Sequence, residues 1–421
     1  MGPRANRREA VLRVENMLAE ERPDLNIVMH DADTPFPRFV AEFPFDMVML
    51  GPTFLGARIS EKRLFNVQKI YGETIRNAGY RVALPQDDYD SSAVLDEWMT
   101  SWRIDTLYCV IPDRWQEIYP NYLEAGSILP GFTGYITDDW IAQWHEPKAR
   151  ERRRWDVTYR THDRSSLYCD LRNLKFAIAE RFRAAVGERS GLEMNISNRA
   201  LDHIAGPDWH EFIEDSRFCL ATPSGSSFLD PRGEIRKCVA RHQAKNRGLT
   251  LSEARAACFP DASPSRPFSA ISPRHIEAGL ALTVQIATPG DYSGLMVADQ
   301  HFLPLAEDCS NASEVMDRMK DESSCQLMAT SFKESLLSEP RLRRSVIVDE
   351  IIRLAENAIT AQNHVRASQA DVDRLMNRYA AFVATHGRRY ERMTHLRSRL
   401  VRFLDTSTPQ LGNWLRRNVR P

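Results

Sequence analysis

Short apolar runs alternate with segments of helical period along most of this chain, and that alternation limits the fold more than any other feature. Asn26–His30 (NIVMH), Phe45–Gly51 (FDMVMLG), Tyr80–Leu84 (YRVAL), Asp105–Ile111 (DTLYCVI) and Phe132–Thr137 (FTGYIT) read as strands. Ser60–Ala78, capped by Ser60 and stopped by Gly79, and Ser91–Trp102 read as helices between them. Strands that are apolar almost throughout, separated by helices, predict a parallel sheet covered on both faces. A charged run, His145–Asp156 (HEPKARERRRWD), then interrupts the pattern and reads as an interdomain linker. The alternation restarts with strand Trp155–Arg160, helix Arg172–Val186, strand Gly191–Ile196, helix Trp209–Asp215 and strand Arg217–Thr222. Strand Leu282–Thr288 and the short run His301–Leu305 follow, and past Pro340 there is no strand signal. The expected fold class is α/β. Two facing Rossmann-like units, residues 1–148 and 149–340, precede a helical extension, residues 341–421. A length of 421 residues accommodates that number of domains.

The net charge of −1 argues against a nucleic-acid binder by bulk charge. From Arg341 to Pro421, however, sixteen Arg face seven Asp or Glu, a balance of +9 that leaves −10 on the remainder. Such a tail has either an anionic partner or simply a solvated helix face. Within it, Tyr390–Leu404 (YERMTHLRSRLVRFL) places Met393, Leu396, Leu400, Val401 and Leu404 at helical spacing, with Arg392, Arg397, Arg399 and Arg402 around them. The stripe either rests on an anionic membrane, giving residues 390–420 a peripheral contact, or packs on the protein body. The seven Cys lie at least sixteen residues apart, so no CxxC pattern exists. They are expected to be reduced, mostly buried thiols of a cytoplasmic protein. No apolar run follows the basic Met1–Arg8, and no stretch of about 18 apolar residues occurs, so neither a signal peptide nor a membrane span is expected.

The stretch Ile271–Gly294 (ISPRHIEAGLALTVQIATPGDYSG) concentrates donors at a helix start. Ser272 suits the N-cap and Pro273 the first helical position. Free backbone N–H groups there favour a phosphate, with Arg274 and His275 adding donors. Glu277, one turn in, has the reach to accept hydrogen bonds from a ribose diol. Alternatively the segment is an ordinary capped helix with surface charges.

This segment resembles the carboxyl-terminal donor-binding domain of GT-B glycosyltransferases, through SPRHIEAGLALTVQI and GDYSGLMVADQHFLPL. ALPQDDYDSSAVLDEW (Ala83–Trp98), WDVTYRT (Trp155–Thr161) and SGSSFLDPRGEIR (Ser224–Arg236) resemble bacterial polysaccharide-type members, and the likeness covers residues 25 to 340. The resemblance implies that Glu277 holds the nucleotide ribose. It assigns the diphosphate to Ser272, Pro273, Arg274 and His275, steadied by Arg160 and Lys175. It implies a nucleotide-sugar donor, a glycan or lipid-linked acceptor, and no resident metal or cofactor. Two departures stand out. Ser269 occupies the position, eight before Glu277, where retaining members often carry a second glutamate. The usual first strand with its glycine-rich turn is missing, because the chain opens with an amphipathic helix, Arg8–Glu21.

PQDDYD (Pro85–Asp90) follows a strand and precedes a helix. Loops in that position line the ligand crevice of a doubly wound sheet, which makes Asp87 and Asp88 candidate general bases for an acceptor hydroxyl. The same residues also serve as turn and cap residues. Asp88-Tyr89-Asp90 further matches a metal-binding Asp-x-Asp signature, a short pattern common by chance. His162, His203, His210, His242 and His301 show no metal-ligand spacing and read as structural. No GxGxxG or GxxxxGK[ST] occurs, which argues against ordinary NAD and P-loop sites. Three readings remain: a glycosyltransferase for cell-surface polysaccharide, a nucleotide-sugar epimerase of the same fold, and a non-catalytic nucleotide-sugar-binding protein.

Overall fold

The structure, a computed structural model, describes residues 9–161, 167–187, 191–204, 206–246, 248–259 and 266–386. Its first sheet has four parallel strands, β1 (Met47–Leu50), β2 (Tyr80–Ala83), β3 (Thr106–Cys109) and β4 (Ser127–Pro130), paired in chain order. Side chains alternate between its faces. Ala83, Leu107 and Cys109 pack with Val67, Tyr71, Leu95, Trp98 and Trp102 of helices Glu61–Arg76 and Ser92–Ser101 and the turn after them. Tyr80, Val82 and Tyr108 pack with Ile347, Val348, Ile351 and Ile352 of helix Arg344–Ala361, and with Met17 and Leu18. The start of the carboxyl-terminal helical region is thus a layer of the amino-terminal unit.

Two expected strands are absent. Asn26–His30 forms no ladder; Val28 packs beside Leu375 and Tyr379, and the His30 ring bonds the hydroxyls of Tyr71 and Tyr379, each at 3.1 Å. Phe132–Thr137 is a loop with one isolated bridge, Ile136 to Arg343; pairing in this region falls instead on β4, just upstream.

The second sheet contains β5 (Trp155–Arg160), β6 (Met194–Ser197), β7 (Ser216–Ala221), β10 (Val284–Ala287) and β11 (Phe302–Pro304), all parallel, in the order β11-β10-β7-β5-β6. Between β7 and β10, β8 (Ser224–Ser226) and β9 (Phe268–Ala270) form a separate antiparallel pair. The chain leaves β5 toward β6 on one side and then returns to β7 on the other. That reversal opens a crevice at the carboxyl ends of β5 and β7, where doubly wound sheets bind ligands. The fold class is therefore the expected one, two Rossmann-like α/β units with helices after them.

The Pro85–Asp90 loop makes several of the contacts between the units. The Ser91 N–H donates to the Asp230 carbonyl at 2.8 Å, and the Asp230 N–H to the Tyr89 carbonyl at 3.0 Å. The Asp90 carboxylate accepts from Arg172 at 2.7 Å and from Arg236. Beneath the loop, the buried Arg58 guanidinium donates to the carbonyls of Leu55, Gln86, Asp87 and Asp90 at 2.6–3.0 Å. The charged run before β5 is also firmly held. Arg153 donates to the carbonyls of Ser216, Ala281 and Leu282, and burial lowers its pKa to about 10. Five cysteines are free and buried, as expected, but Cys238 and Cys258 form a disulfide. Their helices, Glu234–Lys245 and Leu251–Cys258, bring the two Cα atoms to 5.7 Å, a proximity that a separation of 20 residues does not announce.

Candidate functional site at the carboxyl ends of β5 and β7

β9 leads into helix Pro273–Leu280, with Ser272 at the N-cap and Pro273 in the first turn. Gly279 lets this helix lie close to helix Glu322–Ser338, since a Cβ there would come within 2.6 Å of Phe332 and Leu336. The helix start thereby faces the ends of β5 and β7. A pocket there is lined by Thr158, Tyr159, Arg160, Lys175, Trp209, Thr222, Ser272, Arg274 and His275, among others. Of the sequence-predicted donor residues, Arg160, Lys175, Ser272, Arg274 and His275 line this pocket; Pro273 does not, and Glu277 is joined to the pocket wall only through Trp209.

Glu277 is buried, and its Oε2 accepts from the indole Nε1 of Trp209 at 2.7 Å. Burial raises its pKa from 4.5 to about 7, against the opposing pull of the Trp209 hydrogen bond and the Arg274 charge. The Arg274 guanidinium lies 5.3 Å from the Trp209 ring and donates to the Arg160 carbonyl at 2.6 Å. The indole thus joins a cation near its ring to an acceptor at its N–H edge.

The other predicted residues are placed differently. His275 points inward; its Nδ1 accepts from the Ser272 N–H at 3.1 Å. Burial, with repulsion from Lys175 and Arg274, lowers its pKa to about 3, so it caps the helix as a neutral imidazole and adds no positive charge. Arg160 spends its donors on the Asp202 and Asn195 carbonyls and on Asn195 Oδ1, and its guanidinium stacks on Phe212 at 4.5 Å. It holds the crevice wall together. Lys175 lines the pocket, and its carbonyl accepts from the Tyr159 hydroxyl at 2.7 Å.

The Asp87–Asp88 pair divides. Asp87 is exposed, sits at a φ of +55°, and accepts from the Tyr89 hydroxyl at 2.5 Å. Asp88 is 0% exposed and accepts from the buried Tyr119 hydroxyl, and burial raises its pKa. A carboxyl enclosed in this way does not face a cleft, so the general-base expectation for Asp88 is corrected to a packing role. Asp90, between two arginines, is likewise committed, which removes the metal-binding reading of Asp88 and Asp90.

Loop 131–137 of the first unit lies over the helix start. Thr133 Oγ1 donates to the Ile271 carbonyl at 3.0 Å, and Gly134 leaves room for Pro273, whose Cγ would be 3.1 Å from a Cβ at that position. The space left in this pocket is small, about 30 Å³. Trp209 was legible in the sequence only as a helix residue. Its role depends on helix Pro207–Glu214 packing beside helix Pro273–Leu280, which no local pattern encodes.

No protein-family model and no curated protein matches the chain. Among solved structures it is similar to a UDP-forming α,α-trehalose-phosphate synthase from Burkholderia vietnamiensis, at 12% identity over 76% of this chain and 74% of that one, with a TM-score of 0.38. It is also similar to the pneumococcal O-GlcNAc transferase GtfA in complex with UDP and GlcNAc, at 12% identity and a TM-score of 0.36. That likeness covers 75% of this chain and 58% of the transferase, so the chain spans little more than half of that protein's length.

Proposed function

We propose that this protein is a glycosyltransferase that moves a sugar from a nucleotide-sugar donor to a glycan or lipid-linked acceptor in cell-surface polysaccharide synthesis. The observation that carries the reading is the Trp209–Arg274–Glu277 group at the switch point between β5 and β7. A nucleoside diphosphate presents three features to such a site. Its base and sugar faces stack on an indole, its phosphates need a cation, and its ribose hydroxyls need a carboxylate acceptor. In this reading Glu277 holds the ribose, while Arg274, Lys175 and the N–H groups after Ser272 and Pro273 stabilise the diphosphate as it leaves. Asp87, the exposed residue of the loop after β2, accepts the proton of the acceptor hydroxyl. Departure of the diphosphate then asks nothing of a metal.

In the described residues no helix is long and apolar enough to cross a membrane. Contact with an anionic membrane is assigned to residues 390–420, which lie outside the described residues. Thermal-shift screening with nucleoside diphosphate sugars tests the donor assignment, since a ligand that binds only the folded state raises its stability. A sugar altered without any acceptor would instead indicate an epimerase, and tight binding without turnover a non-catalytic binder. No stabilisation by any such donor would remove the proposal.

A further inference from the structure

Outside the donor pocket, one cluster of side chains has the composition of a metal site. Cys238 and His242 lie one turn apart on helix Glu234–Lys245, and Cys258 is the last residue of helix Leu251–Cys258. The two sulfurs and a ring nitrogen of His242 all lie within 4.8 Å of one another, and all three residues are half-buried. The remaining five cysteines are buried and unpaired with sulfur, so this is the one place among the described residues where thiols meet an imidazole within reach of solvent. A disulfide alone has no need of an imidazole at that distance. Tetrahedral zinc with two thiolates and one imidazole needs its ligand atoms roughly 3.5–3.8 Å apart, which asks the two sulfurs to part and little else to move.

The geometry points to a thiol-gated zinc site in which Cys238, His242 and Cys258 bind one ion when reduced and close into the disulfide when oxidised. Opening consumes two equivalents of a small thiol such as glutathione, giving the protein dithiol and the small-molecule disulfide. Zinc then displaces one proton from each protein thiol, and water occupies the fourth position. Either state staples the two helices. That matters beyond the site, because Arg236 and Lys237 of the first helix bond Asp90 and Glu61 of the other unit, and Arg255 of the second bonds Asp170.

The test uses the full chain reduced with a phosphine, titrated with zinc against a chromophoric chelator and, separately, with cobalt. The expected result is one zinc per chain, a thiolate-to-cobalt absorption band, and protection of two thiols from alkylation. Cys258→Ser should abolish tight binding. His242→Ala should weaken it on the order of 100-fold, since even outer-sphere partners are worth 10–100-fold. The oxidised chain should take up zinc only after reduction. Reduced wild type that binds no stoichiometric zinc overturns the proposal, as does a folded His242→Ala chain that binds as tightly as wild type. Should the variants unfold, the wild-type cobalt spectrum decides alone, and a spectrum without the thiolate band counts against the site.

Discussion

The indole Nε1 of Trp209, a pocket-lining residue, donates to Glu277 Oε2 at 2.7 Å, so the acidity of this buried carboxylate depends on a residue from another helix. That bond favours the ionised form, the form able to accept hydrogen bonds from a diol. Glu277→Gln is expected to weaken donor binding by about 1.5–3 kcal/mol, the value of a hydrogen bond to a charged group, or roughly 10- to 100-fold in Kd. Trp209→Phe keeps the ring and removes the donor, so the pKa of Glu277 should rise further. Isothermal titration across pH would show wild-type affinity growing as pH passes about 7, with the Trp209→Phe midpoint displaced upward. A midpoint that does not move would detach Trp209 from the site chemistry.

The same shift predicts a pH dependence of stability. The folded-state pKa of Glu277, about 7, lies above the ordinary 4.5, so the native state holds an extra proton between those values. Its contribution is fully present below about 4.5 and is lost as pH rises through about 7, an effect on the order of 3 kcal/mol. Urea unfolding from pH 4.5 to 7.5 should show the Glu277→Gln chain losing less stability than wild type over that interval. Parallel curves would mean that the carboxylate is solvated.

Asp87 and Asp88 should separate under mutation. Asp88→Ala removes the acceptor of a buried hydroxyl, leaves Tyr119 unpaired, and is expected to destabilise by about 1–3 kcal/mol. Asp87→Asn should leave the melting temperature near wild type and lower kcat and kcat/KM together, as expected for a group that acts in the transition state. Full turnover in the Asp87→Asn enzyme would return the loop to a purely structural role.

The two arginines on Asp90 tie the units together. Asp90→Asn leaves both cations underpaired in a largely buried setting and should cost about 3 kcal/mol, the lower end for a broken buried pair. Urea denaturation of the folded variant reads that loss directly, and an unchanged stability would mean that solvent already screens both pairs.

Residues 390–420 carry the membrane proposal. The full chain should co-sediment with anionic vesicles at low salt and be released as salt rises, whereas a chain ending at Arg389 should stay in the supernatant. If both remain soluble, the apolar stripe from Met393 to Leu404 is a packing surface.

Much of this architecture is legible along the chain. Val82–Ala83 and Leu107–Cys109 are apolar at consecutive positions because both faces of their sheet are covered, and that leaves a mark in any short window. The cap at Ser272, the proline after it and the crowding of Arg274, His275 and Glu277 are equally local, since helix starts are specified within a turn. What those residues do is not local. Arg160 is spent on a neighbouring strand, and His275 on its own cap. Asp88 lies beside Tyr119, 31 residues away, and Asp90 beside Arg172 and Arg236 from the other unit. Trp209 reaches Glu277 across 68 residues. Periodicity and capping depend on neighbours in sequence, so the sequence alone determined most of where strands and helices alternate, Asn26–His30 and Phe132–Thr137 excepted, and where the helix capped by Ser272 begins. Burial, charge pairing and the meeting of Cys238 with Cys258 depend on neighbours in space, and only the packing of the two units decided them.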